Sequence, residues 1–338
     1  MKIDGGLMTT DLRDAARLAV HAERLGYDGL WTAEAGHDPY LPAALAATAT
    51  ERITIGTNIA VAFPRSPLVH AQLAWDLQAA SRGRFVLGLG TQVKGHNERR
   101  YSTPWLAPGP RLREMILLIR HIWDVWQHGA RPGFEGTYYK FSLMTPFFSP
   151  APLDCPLPQI YIAGVNPYMC RLAGELADGF HIHPFHSMKY IQETVLPNVE
   201  AGLTKAGRQR EQVALATTAF VIAGKNRDEI ERAKAPVRQQ LSFYASTRTY
   251  SGVLEAHGWG ETCYRLNEKA AQGDWSGMAS LITDEMLEVY AVQGTFDEVP
   301  GLLKKKYGGV IDRLSFYSPL RPGADDAMWR RAIAACRS

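Results

Sequence analysis

Read from its N-terminus, the chain alternates two patterns. Apolar positions recur at helical spacing at Leu12, Ala15, Ala16, Ala19 and Ala22, behind Asp11, a residue suited to cap a helix, and ahead of a Leu25-Gly26 stop. A short run that is apolar at consecutive positions follows, Leu30-Trp31-Thr32-Ala33. The pair then repeats, with a helical stretch over 40–49 and a β-branched run from Ile53 to Ile59, then a helix over 68–80 and the run Phe85 to Gly90. It returns over 172–183, and again over 296–307 with 310–317. Strands apolar at every position are buried on both faces, and strands that alternate with helices pair in parallel. Eight strands are predicted, over 3–7, 30–34, 53–61, 85–90, 159–164, 179–183, 213–223 and 311–317. That count predicts an α/β fold, a (β/α)8 TIM barrel, in which sites lie at the C-terminal ends of the strands.

Two regions break the repeat. Residues 131–157 are rich in aromatic residues and proline (FEGTYYKFSLMTPFFSPAP) and read as an extended insertion over the barrel mouth. Residues 250–290, with Trp259 and Trp275, read as a second insertion, helical in part. No low-complexity linker separates them, so the 338 residues are read as one elaborated domain.

The stretch RFVLGLGTQVKGHNERR carries Gly88 and Gly90 as G-x-G at the end of a strand. A dinucleotide-binding fingerprint needs a third glycine and an immediate helix. Val93 stands where that glycine belongs, and the polar segment after it has no apolar stripe; the next helix is expected near Pro110. Two readings stay open: the glycines admit a flat ligand to the strand end, or they relieve a crowded barrel interior.

Composition narrows the function. Hydrophobic residues are 46% and charged residues 21%, an ordinary globular balance. The 37 basic and 34 acidic residues are spread along the chain, leaving +3, so no nucleic-acid footprint is seen. No segment approaches the length of a membrane span and no signal peptide is evident, which places the protein in the cytoplasm. Cys155, Cys170, Cys263 and Cys336 are far apart and form neither a zinc motif nor a disulfide framework. His181 and His183 share a strand face with His186 nearby, but no carboxylate partner is evident, and no metal site is assigned.

Several segments together resemble the luciferase-like flavin and deazaflavin oxidoreductase superfamily, and within it the coenzyme F420-dependent enzymes. They are GYDGLWTAEAGHDPYLP, ERITIGTNIAVAFPRSP, SRGRFVLGLGTQ, RLREMILLIRHIWDVWQHG with FEGTYY, PQIYIAGVNPYMCRLAGELADGFHIH and, more weakly, QGTFDEVPGLLKKKYGGVIDRLSFYSP. The resemblance implies the same barrel fold, with a deazaflavin ring at the strand ends and its phosphate at the loop after the fifth strand. Carried onto this sequence, the phosphate loop is Gly164-Val165-Asn166, led by Ala163, with His183 beside it. It also implies a non-proline cis peptide at Asn58-Ile59, bulging toward the ring, and Thr91 at the ring's polar edge. Many F420 dehydrogenases have an Asp-His pair after the second strand where this chain has Glu34-Ala35, with His37-Asp38 following. The acidic residue that sugar-phosphate dehydrogenases use after the fourth strand has no counterpart in Thr91-Gln92-Val93-Lys94, so sugar-phosphate specificity is not carried over.

The candidate catalytic residues are therefore Glu34, as ring contact or acid and base, and His37 and His96, as proton donors or anion contacts. Glu34 and the histidines can also be read as ordinary loop and cap partners. The expected activity is hydride transfer between F420 and a small organic substrate. Two alternatives are carried: an FMN-dependent monooxygenase that uses oxygen, and a cofactor-free barrel serving as a binding or partner subunit. A homodimer is expected from family habit.

Overall fold

The computed structural model describes residues 1–9, 11–317, 323 and 326–337; Ser318 and Pro319, at the end of the weak tail match, lie outside them. Eight parallel strands close into a barrel: β1 (Lys2–Gly6), β2 (Gly29–Thr32), β3 (Thr54–Thr57), β4 (Phe85–Gly90), β5 (Gln159–Gly164), β6 (Gly179–Ile182), β7 (Ala214–Gly224) and β8 (Arg313–Phe316). Closure follows the order β7-β8-β1-β2-β3-β4-β5-β6 and back to β7. The outer ring is α1 (Ala15–Leu25), α2 (Tyr40–Ala49), α3 (Pro67–Ala80), α4 (Pro108–His128), α5 (Pro167–Leu176), α6 (Leu196–Ala206), α7 (Arg227–Ala245) and α8 (Val299–Tyr307), with α9 (Asp326–Arg337) after the last strand. Among the described residues no helix is long and apolar enough to cross a membrane.

Local chemistry sets the boundaries. Asp11 accepts from the Arg13 N–H and starts a 3-10 turn that runs into α1, which leaves Leu12 on the surface rather than on the buried stripe. Gly26 ends α1 with φ 97°, the left-handed geometry that favours glycine. Ser66 caps α3 with Pro67 behind it, and Asn166 caps α5 with Pro167 behind it.

Three features depart from the sequence pattern. A short helix, Lys94–Arg99, follows β4 in the segment that lacks an apolar stripe. Apart from the two-residue strand Ala60–Val61, which pairs in parallel with Leu89 and Gly90 of β4, a ninth parallel strand, Ala291–Thr295, pairs with the part of β7 that rises beyond the barrel, Phe220 to Gly224. Only Ala291 and Val292 in it are buried, too short an apolar run to announce a strand. Residues 131–157 form a two-residue-per-strand hairpin and a 3-10 turn along the outside of α3 and α4 instead of spanning the mouth. The segment reaches the upper rim where Arg111 Nε donates to the Tyr139 hydroxyl, and it returns to the lower end where Cys155 packs on Gly83.

The main core fills the space between strands and helices, while Trp31, Val86 and Tyr161 form a separate apolar cluster inside the barrel.

Candidate active site at the C-terminal mouth

Side chains two apart along a strand share a face, so the lumenal Trp31, Tyr161, His181 and Arg313 fix which residues point inward. The middle of the lumen is sealed. Trp31 and His181 meet edge to face with centroids 4.7 Å apart, and a Cβ on Gly56 would come 2.4 Å from the Trp31 ring. Below them Asp4 takes hydrogen bonds from Trp31 Nε1 at 2.9 Å and from Arg313 Nε and Nη2 at 2.8 Å each. One step higher the inward positions become small or partly exposed: Gly6, Ala33, Asn58, Ala163, His183 and Thr218 all admit solvent. The result is a hollow over a closed floor.

The glycine question is answered by what surrounds them. A Cβ on Gly88 would sit 1.7 Å from the Thr57 carbonyl oxygen, and one on Gly90 would sit 2.7 Å from Ile59 Cγ1. Both glycines serve close packing of the protein on itself. The Asn58–Ile59 peptide is cis, as the resemblance implied; Asn58 and Ile59 are partly exposed, and Ile59 packs on the buried Gly90.

Two polar struts hold the chain beyond this peptide. Glu34 accepts from the Val61 N–H at 2.7 Å, from Arg65 Nη1 and Nη2 at 2.8 and 3.1 Å, and from the Tyr101 hydroxyl at 3.3 Å. Arg65 also donates to Asp38 at 2.7 Å. The setting of Glu34 is thus a charged network. Beside it the buried His70 donates through Nε2 to the Ala62 carbonyl at 2.9 Å, and its Nδ1 meets the Tyr40 hydroxyl at 2.6 Å. Burial lowers the His70 pKa to about 4, so the ring is neutral, as this bonding requires.

The remaining candidates are spread around the rim. Thr91 is partly exposed, and its carbonyl is tied down by Asn97 Nδ2 at 2.9 Å. His37 and His96 are exposed after β2 and β4, and neither side chain makes a hydrogen bond among the described residues. At the β5 end Gly164 is forced by packing, since a Cβ there would be 2.3 Å from the Met169 Cβ. The Asn166 side chain is committed to capping, accepting from the Met169 N–H at 3.1 Å. The backbone N–H groups of Val165, Asn166 and Tyr168 have no partner among the described residues. These donors lie at the start of a ten-residue helix, a favourable place for an anion.

His183 is neutral as well, lowered to about 3 by burial and then by His186. Its Nδ1 accepts from the Phe185 N–H at 3.0 Å, which leaves the proton on Nε2. Its ring packs at 4.7 Å on both Tyr244 and Tyr250, and the Tyr244 and Tyr317 hydroxyls are 2.7 Å apart. With Phe220 beneath Tyr317 at 4.6 Å, this makes an aromatic wall on the side of β6 to β8. Sequence reasoning missed it because Tyr244, Tyr250 and Tyr317 sit in a helix, a turn and a strand end with no shared motif; only the position of Tyr317 at the end of the last strand carried a signal.

Comparison with known proteins agrees with the barrel fold. The luciferase-like monooxygenase family matches over residues 1–313. An uncharacterized protein of Mycobacterium tuberculosis is 44% identical over 314 residues, 93% of this chain and 92% of its own. The 5,10-methylenetetrahydromethanopterin reductase of Archaeoglobus fulgidus is 29% identical over 308 residues, 89% of this chain and 88% of that one. Among solved structures, the coenzyme F420-dependent tetrahydromethanopterin reductase of Methanopyrus kandleri superposes with a TM-score of 0.77 at 21% identity, over 99% of this chain and 96% of that one.

Proposed function

The chain belongs to the luciferase-like monooxygenase family, whose members are oxidoreductases, and from that premise we propose that it transfers a hydride between coenzyme F420 and a small organic substrate. The observation that carries this reading is the hollow of small, partly exposed residues over the Trp31–His181 floor, with three free backbone N–H groups at one edge. A planar ring fits the hollow, and a phosphate fits the N–H groups of Val165, Asn166 and Tyr168. F420, when bound, supplies a hydride carried on carbon and little reactivity toward oxygen.

The protein's own residues do the rest. The sealed floor keeps water from the lumenal side of the ring. The cis peptide, Ile59 and Gly90 shape one wall, and Glu34 with Arg65 fixes the loop that carries them. Thr91 borders the hollow after β4. His183 offers Nε2–H as a neutral donor beside the anchor loop. The proton that accompanies a hydride is best held at Tyr317 Oη, partly exposed at a strand end and in contact with the Tyr244 hydroxyl. His37 and His96 stand exposed after β2 and β4, their side chains without partners among the described residues.

An FMN-dependent monooxygenase is the second reading, favoured by the family's own description. Titration of the purified protein with F420 and with FMN, followed by fluorescence and with oxygen uptake recorded, separates them. Binding of F420 supports the proposal. Tight FMN binding with oxygen consumption overturns it, and binding of neither leaves the cofactor-free partner subunit.

A further inference from the structure

The other end of the barrel holds a cavity of about 870 Å³. It is walled by the N-terminal ends of β1, β3, β5, β7 and β8 and by α8 and α9. Two buried side chains reach it from inside the lumen: Tyr161, 3% exposed, and Arg313, 5% exposed. The Tyr161 ring lies over Gly179, where a Cβ would come 2.4 Å from Cζ, the carbon that bears the hydroxyl. That missing side chain lets the ring lean toward the cavity.

Neither group is used up within the protein. Arg313 spends Nε and Nη2 on Asp4, while Nη1 has no partner among the described residues. The Tyr161 hydroxyl has none either, and neither atom is among the polar atoms sealed away from solvent without a hydrogen bond. Burial pushes the Tyr161 pKa up to about 12, so the hydroxyl is a donor at neutral pH. At the rim, the acids are already engaged. Asp28 accepts from the Ile3 N–H and pairs with Arg337 at 2.8 Å; Asp312 accepts from the Leu215 N–H and pairs with Arg210 at 2.8 Å. Lys2 and Lys304, both exposed, line the same cavity with no ion pair among the described residues. Asp4 cancels Arg313, so the uncompensated charge belongs to the two lysines, and the free groups on the floor are donors.

We propose that this N-terminal mouth binds a small molecule bearing a carboxylate or phosphate, with its oxygens on Tyr161 Oη and Arg313 Nη1 and its charge balanced by Lys2 and Lys304. A charged ligand held by such donors makes hydrogen bonds roughly twice as strong as neutral ones. The site is separate from the hydride-transfer mouth, because the Trp31–His181 layer lies between, and it does not depend on which cofactor binds there.

Calorimetric titration of the full chain with inorganic phosphate and with citrate tests it, on the wild type, Tyr161→Phe, the exposed pair Lys2→Gln/Lys304→Gln, and Asn166→Asp, whose added charge repels an anion from the upper mouth. The expected result is saturable binding of at least one probe, weakened tenfold or more by Tyr161→Phe and by the lysine pair and unchanged by Asn166→Asp. No saturable binding of either probe overturns the proposal. So does binding that ignores the lower-face variants or falls only with Asn166→Asp. Should Tyr161→Phe fail to fold, the lysine pair, both exposed, decides alone.

Discussion

Glu34 and Arg65 meet through two contacts, at 2.8 and 3.1 Å, with the Glu34 side chain only 6% exposed. A carboxylate gripped by a guanidinium fork and a backbone N–H is a strut. Removing one partner of a buried pair leaves the other uncompensated, which costs about 3–5 kcal/mol when burial is complete. Arg65 is partly exposed and keeps Asp38, so Glu34→Gln should destabilise by about 2 kcal/mol, read from urea denaturation. Cofactor binding should weaken along with stability because the loop beyond Ile59 loosens. If Glu34 were instead the proton donor, Glu34→Gln would bind cofactor with wild-type affinity and lose only turnover.

The two glycines of β4 should respond differently to alanine. At Gly90 the clash is with the Ile59 side chain at 2.7 Å, which can shift; at Gly88 it is with the Thr57 carbonyl at 1.7 Å, which cannot without breaking the β3–β4 contact. Gly90→Ala should fold with a loss of about 1–3 kcal/mol, the usual range for overpacking, and with altered cofactor affinity. Gly88→Ala should yield little soluble protein. Equal tolerance of both substitutions would refute the packing assignment.

How far the sequence led follows from the length of the signal. The eight barrel strands were legible because most are short, largely apolar runs, such as Phe85 to Gly90, set between helices with clear caps such as Ser66 and Asn166. The ninth strand was not, because it rests on an extension of β7 and brings only two buried residues of its own. At the site, the family resemblance pointed to the cis peptide at Asn58–Ile59 and to the loop between β5 and α5. Glu34 was visible as a residue but not as half of a pair, because Arg65 lies 31 positions away and charge complementarity leaves no mark on a single sequence. The Tyr244–Tyr317 contact, 73 positions apart, was hidden for the same reason.

Four histidines give the protein an acid limit. His70, His181, His183 and His186 are lowered from 6.5 to about 4, 3, 3 and 4, in each case chiefly by burial. The folded state keeps them neutral, while the unfolded chain protonates near 6.5. Their contribution is thus fully present above pH 6.5 and is lost as pH falls from there toward 4 and 3. Each can contribute a slope of up to about 1.4 kcal/mol per pH unit in that window. Denaturation midpoints should therefore drop steeply between neutral and mildly acid pH, and a flat profile there would contradict the buried, neutral placement. His70→Gln should shed one proton's worth of that slope.

Asn166 separates two effects that meet at one position. Its side chain caps α5 through the Met169 N–H, while the backbone N–H groups of Val165, Asn166 and Tyr168, the proposed phosphate donors, have no partner among the described residues. Asn166→Ala removes the cap and should cost about 1 kcal/mol of stability. Asn166→Asp keeps the cap and favours the helix N-terminus, so stability should stay within about 0.5 kcal/mol of wild type. It nevertheless places a negative charge where the anionic tail belongs. Affinity for the phosphorylated cofactor should then fall tenfold or more and recover in part at high salt, which screens the repulsion. A ring compound lacking the phosphate, titrated in parallel, should bind wild type and Asn166→Asp alike. If the aspartate variant binds the phosphorylated cofactor as well as wild type does, the tail is not anchored at this loop.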